Sequence, residues 1–315
     1  MVTVLRPLST SELLDRTFHL YRNNFLVFVG IAAIPQLAVL VLQLADAMMR
    51  SHGFFFGASA TAIIAGLASF IAIEVSQAAT VMAVSNLHLD RTASIGAAYS
   101  SAKGSLLRVI GISLAIIAIP AGIAVLIAVP ILILGRILFS RALHVTAFPA
   151  VAGLVIDNVS LIRLSSLAIA LVVSLLALRW WLRWSLAIPV AVLEGYGVRA
   201  SMRRSKALTK GSRGRILLVY LLMLALTWIV STVIQLPFLL TSGLRALRDP
   251  ASVGPAANAL LAAGGFLSTS LVGPLLTIAL TLIYYDQRVR KEGFDLQVMM
   301  ATLQTGPQAA TVTTT

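Results

Sequence analysis

The chain has no cysteine, and only 11% of its 315 residues are charged. Without cysteine there is no disulfide, no thiolate metal site and no Cys nucleophile. The low charge excludes an ordinary soluble domain, whose charged share is about 25%. Histidine is also scarce. His19, His52, His88 and His144 are isolated from one another, with no His-x3-His pair and no His/carboxylate cluster at ligand spacing, so no metal site is expected. No G-x-S-x-G, P-loop or G-x-G-x-x-G occurs. Lys210-Gly211-Ser212 shares letters with the end of a phosphate loop but lacks the glycine that should precede it. No catalytic residue, enzyme activity, cofactor or metal is therefore expected.

What fills the chain is apolar. Hydrophobic residues make up 59% of it, against about 45–50% in soluble proteins. That excess has to face lipid. Six runs are long enough to span a bilayer, which takes about 20 residues each. They are 25–45, 58–84, 107–134, 164–193, 216–241 and 263–285. Pro35, Pro120, Pro130, Pro189, Pro237 and Pro274 fall in or beside them, so kinks are expected. The predicted fold class is all-α: a polytopic transmembrane bundle spanning 25–301, preceded by an amphipathic segment at 1–24 and followed by a disordered tail at 302–315. The apolar stretch Ala142–Ile156 is too short to cross and reads as interfacial or re-entrant.

Twenty-four Lys and Arg face only 11 Asp and Glu. With the N-terminus placed inside, the inside segments carry Arg6, Arg16, Arg22, Arg91, Lys103, Arg108, Arg199, Arg203, Arg204, Lys206, Lys210, Arg213, Arg215, Arg288, Arg290 and Lys291, a total of 16. The outside segments carry six: Arg50, Arg136, Arg141, Arg163, Arg245 and Arg248. This asymmetry predicts both termini in the cytoplasm of an inner or plasma membrane protein. The expected partners are the bilayer and anionic headgroups on the cytoplasmic face. No alternation of aromatic and basic residues suggests nucleic acid, and protein partners are not specified by the sequence.

Ser9-Thr10-Ser11-Glu12 has the form of a capping box. Beyond it Leu14, Phe18, Tyr21 and Phe25 share one face at helical spacing, which predicts a helix lying in the membrane interface. The pattern K-G-S-x-x-R-[V/I] occurs at Lys103–Val109 and at Lys210–Ile216, each time before a long apolar run. Arg22-Asn23-Asn24-Phe25 is a looser version. The expectation is a threefold unit of one interfacial helix and two spans.

The stretch Arg183–Ile216 carries Arg183, Pro189, Glu194, Gly195, Arg204, Ser205, Leu208, Thr209 and Gly211. These positions resemble the signature of a large bacterial group of six-helix membrane proteins. That group includes the membrane domain attached to some glycerophosphoryl diester phosphodiesterases. Leu5–Leu8, Leu14–Arg16, Leu20–Arg22 and Tyr284–Asp295 resemble it at the flanks. Arg213 and Gly214 stand where the group commonly has a bulky aromatic. The resemblance implies a membrane module. In those enzymes the chemistry belongs to a separate soluble barrel, which these residues do not contain.

Several polar groups lie within the apolar runs. Glu74, with Gln77 one turn on, suits either a proton or solute site or a structural contact between helices. Arg179 and Arg183 lie among Trp180, Trp181 and Trp184, as an anchor belt or deeper. Glu74 and Arg183 each fall ten residues before the inner end of their span and are expected to pair, with Arg179 as the second choice. Glu194 is a further intramembrane candidate. Arg199, Arg203, Lys206 and Lys210 recur at helical spacing and suit anionic lipid, a phosphorylated ligand, or topology control. Two functions remain: a structural or lipid-organising module, or a transporter or channel with a hydrated cavity lined by Glu74, Gln77 and Arg183.

Overall fold

The computed structural model describes residues 8–51, 55–89, 91–145, 171–248 and 255–293. Ala142–Val145 continue a long helix, whereas the rest of the Ala142–Ile156 stretch and the 302–315 tail lie outside the described residues. Where β-branched residues occur they sit among Leu and Ala in runs too long for strands, and backbone groups in lipid must bond within their own segment. Every described element is accordingly helical.

In chain order these are α1 Thr10–Asn23, α2 Phe25–Ser51, α3 Phe55–His88 and α4 Ile95–Ala102. A short 3-10 turn, Lys103–Ser105, leads into α5 Leu106–Val145. Then follow α6, described over 171–184, α7 Ala187–Leu193 and α8 Val198–Thr209. The chain continues with α9 Arg213–Arg248 and α10 Pro255–Glu292. Six stretches are long and apolar enough to cross a membrane: Phe25–Met49, Ala60–His88, Ile95–Ile123, Leu171–Leu193, Arg213–Leu244 and Ala256–Glu292. Their outer faces carry bare apolar side chains such as Leu26, Ile63, Leu107, Trp228 and Val233, as lipid contact requires. Pro35, Pro120, Pro130, Pro237 and Pro274 all sit inside helices.

The last long helix is the centre. In α10, 56% of the most apolar window is buried inside the protein, against 28% or less in every other candidate span. It packs on α2, α9, α3 and α1. Its Ile278, Leu282, Tyr284 and Tyr285 join Phe28, Ala79, Val84, Leu186, Leu208 and Val219 in one core. Those residues lie toward one end of the bundle, the end where the basic segments collect.

The capping box forms as expected: Ser9 Oγ accepts from the Glu12 amide at 3.2 Å, and the Ser9 amide donates to Glu12 Oε2 at 2.7 Å. The helix it starts meets the bundle over more than the expected face. Leu13 and Thr17 are fully buried against the bundle with Leu20 partly so, while Phe18 and Phe25 are exposed. Thr17 tolerates burial because its hydroxyl donates to Leu13 O at 2.8 Å. Leu14 and Tyr21 of the expected face also pack on that core, which leaves Phe18 as the bare apolar residue of that face within α1.

The two K-G-S segments adopt different backbones. Lys103–Ser105 carries α4 into α5 as a 3-10 turn. Lys210 is extended at φ −63° and ψ 126°, and Gly211 has φ +85°, so α8 ends and the chain turns before α9. A left-handed residue at that turn calls for glycine.

Candidate functional site at the basic end

The fourth span is broken. α6 ends at 184, Ser185 and Leu186 form a turn, and α7 begins at Ala187. Pro189 falls in the first turn of α7, where its missing N–H leaves no helical bond unmade. A break inside a span leaves polar backbone that has to be satisfied by neighbours. Ser205 of α8 does this with one hydroxyl: it donates to Arg183 O at 2.9 Å and accepts from the Leu186 amide at 3.2 Å. Ser185 Oγ adds a bond to Leu182 O at 3.1 Å.

At the far end of α7, Glu194 caps the helix and Gly195 follows at φ +73°, the left-handed position that glycine fills at a helix end. Glu194, expected as an intramembrane polar candidate, joins a charged cluster built by three helices. Arg204 Nε donates to Glu194 Oε2 at 3.0 Å, and Arg204 also meets Glu292 at 2.6 Å. Tyr284 donates its hydroxyl proton to Glu194 Oε1 at 2.8 Å. Arg288 reaches Glu292 at 3.3 Å and lies over the Tyr284 ring at 5.8 Å. Burial alone would lower the Arg204 pKa. The hydrogen bonds and charges of Glu292 and Glu194 outweigh it and hold that pKa above its ordinary value.

A second cluster centres on Asp286, whose side chain is fully buried. Its Oδ2 accepts from Arg215 at 2.7 Å and from Arg290 at 2.9 Å, and its Oδ1 accepts from the Leu8 amide at 2.8 Å. Arg215 and Arg290 both return a bond to Leu8 O. The segment ahead of α1 is thereby tied to α9 and α10. Tyr21, at the other end of α1, donates to Leu271 O, and burial pushes its phenol up to about 12. Nearby, Ser212 donates to Gln287 at 2.6 Å, and Lys291 closes the C-terminal end of α8 through Ala207 O at 3.0 Å and through Lys210 O. Arg108 binds Gly104 O at 2.6 Å and Ala191 O at 3.4 Å, joining α5 to α7.

The remaining candidates separate. Arg199, Arg203 and Lys206 are exposed on one side of α8, with Lys210 exposed just past its end, while Ser201, Ser205 and Leu208 are buried on the other side. The expected pairing of Glu74 with Arg183 is not what the structure holds. Glu74 is buried against α5 and accepts from Ser113 Oγ at 2.7 Å. Among the described residues Arg183 has no acid partner, and its buried Nε makes no hydrogen bond. Equal depth was the ground for pairing them, but the α3 face that buries Glu74 is turned to α5. Arg179 is exposed. Gln77 lines a different space, between α2, α3 and α10. No described cavity brings Glu74, Gln77 and Arg183 together. No group of metal-binding side chains occurs among the described residues.

Broken span, basic outer stripe and ion-paired end define a polytopic, all-helical membrane protein. Residues 155–304 match the family model for the membrane domain of glycerophosphoryl diester phosphodiesterase, the family that the central motif resembles. The match takes in the described parts of α6 through α10 and so contains both charged clusters. No curated protein and no solved structure matches the chain.

Sequence reasoning missed the role of α10. Its signal was present: Tyr284, Arg288 and Glu292, and Asp286 with Arg290, repeat at four-residue spacing, and charges of both signs at the end of a membrane helix require partners.

Proposed function

We propose that the protein is a lipid-organising membrane module whose basic end lies on the cytoplasmic face of the cell membrane and gathers anionic headgroups. It carries out no catalysis of its own in this reading. The observation that supports it is the division of α8. One face is fixed to the bundle by Arg204 and Ser205. The other presents Arg199, Arg203 and Lys206 to the surroundings, and Lys210 is exposed just past the helix end. Glu194, Asp286 and Glu292 are already engaged with Arg204, Arg215, Arg288 and Arg290, so they leave the stripe its charge for an outside partner. A cation near an anionic membrane surface contributes ~1 kcal/mol.

The test is lipid enrichment around the purified protein in mixed anionic and zwitterionic nanodiscs. Arg203→Gln with Lys206→Gln should lower the anionic preference severalfold, and added salt should lower it for the parent chain. Equal enrichment for parent and variant at low salt would overturn the reading.

A further inference from the structure

Three helices meet around an uncharged space. Between α2, α3 and α10 lies a cavity of about 130 Å³ whose polar lining is Gln36, Ser76, Gln77, Thr80, Thr269 and Thr277. That exceeds the ~10–15 Å³ a single water needs by this measure. Gln36 lies eleven residues into α2, and Gln77 lies eleven before the last residue of α3. At ~1.5 Å per residue both sit ~16 Å from the basic end, near the middle of a ~30 Å hydrocarbon layer.

Carboxamides at this depth are costly when unbonded. Yet among the described residues no partner bonds the side chains of Gln36, Gln77, Thr80, Thr269 or Thr277. Gln36 is only 8% exposed and Thr80 1%. Ser76 alone is engaged, donating to Ile31 O at 3.4 Å. The donors and acceptors are therefore assembled and idle.

The lining selects the chemistry of an occupant. No Lys or Arg lines the cavity, so a phosphate or carboxylate would bring a bare charge into the bundle. No acid and no aromatic ring lines it, so a cation has no counterpart. Amides and hydroxyls both donate and accept, which suits hydroxyl and ester groups. The mouth opens sideways, where Ile73, Thr269 and Gly273 are exposed, and Ile73, Leu276 and Leu280 give it an apolar rim.

We infer that this cavity takes the hydroxyl and ester groups of an uncharged lipid of the monoacyl- or diacylglycerol kind, entering from the bilayer with its chains over the apolar rim. The same chemistry could be offered by a free polyol. Its route would be the second pocket on the α2–α10 seam, about 330 Å³ and lined by Gln43, Asp46 and Asn258.

The test uses the full chain in zwitterionic nanodiscs with a photoreactive monoacylglycerol. Label should concentrate on peptides of α2, α3 and α10. Unlabelled monoacylglycerol should displace it about tenfold, while phosphatidylglycerol and erythritol should not. Gln36→Leu with Gln77→Leu should cut labelling severalfold, and Arg203→Gln should leave it unchanged, which separates this site from the basic stripe. If the double change fails to fold, Thr277→Val gives the same reading with little change of shape. Label spread evenly over all lipid-facing helices, or unchanged in the variants, overturns the site. Displacement by erythritol overturns the membrane-borne source and assigns the cavity to a soluble polyol.

Discussion

Asp286 and Glu194 hold the molecule together at the scale of single residues. Each is a carboxylate that collects donors from separate parts of the chain: Asp286 from Leu8, Arg215 and Arg290, and Glu194 from Arg204 and Tyr284. Breaking a buried pair by removing one member strands the other, at a cost of ~3–5 kcal/mol. Asp286→Ala should therefore lower stability by roughly that amount, because Arg215 and Arg290 lose a shared, fully buried acceptor. Glu194→Gln should cost less, since the amide oxygen still accepts from Tyr284 and Arg204 retains Glu292. Thermal unfolding in detergent checks both. A stable Asp286→Ala protein would mean that the helices hold without this cluster.

At the scale of elements, the most informative device is the break in the fourth span. One hydroxyl, Ser205 Oγ, serves a carbonyl on one side of the break and an amide on the other. Its loss orphans both, and each unsatisfied buried group costs ~1–3 kcal/mol. Ser205→Ala should destabilise the protein by about 2–3 kcal/mol and loosen the turn at Ser185. The chain has no native cysteine, so Ser185→Cys is a clean probe: its maleimide labelling should rise when Ser205→Ala is added. Equal labelling in both backgrounds would remove Ser205 from this role.

The six apolar runs were legible because hydropathy over 20 residues is a strong signal, and the helices fall where those runs predict. The break was not, because the run 164–193 is long enough to read as one span despite Arg179 and Arg183, and its two markers, Ser185 and Pro189, are ordinary residues in membrane helices. The burial of Thr17 in α1 was missed because it looks polar in sequence but satisfies its own hydroxyl. Glu74 and Arg183 were matched by depth alone, and depth carries no information about which side of a helix a residue occupies. The charged clusters depend on contacts between positions up to 282 residues apart, which no local pattern encodes.

At the scale of the whole molecule, charge is divided between two tasks. Arg204, Arg215, Arg288 and Arg290 are neutralised inside the basic end, so fewer free cations remain to orient the chain than the sequence count suggests. The exposed Arg199, Arg203, Lys206 and Lys210 still favour that end on the inner side. Reporter fusions at Met1 and Thr315 are expected to place both ends in the cytoplasm. Ends on opposite sides would show an odd number of crossings and would move the basic stripe away from the leaflet assigned to it.

The contact of Leu8 with Asp286 also has a meaning in time. A ribosome adds ~5–20 residues per second. The 278 residues between these partners therefore take roughly 15–55 s to make. Through that interval α1 has no acid to hold its leading segment, Arg215 of α9 waits for Asp286 of α10, and Arg204 of α8 has Glu194 alone. The helix around which the others pack is the last described one to leave the ribosome. Earlier spans must be inserted and kept apart from wrong neighbours before their centre exists. A nascent chain stopped short of Tyr284 would thus be unclosed, with Arg215 lacking its acid and Arg204 held by Glu194 alone.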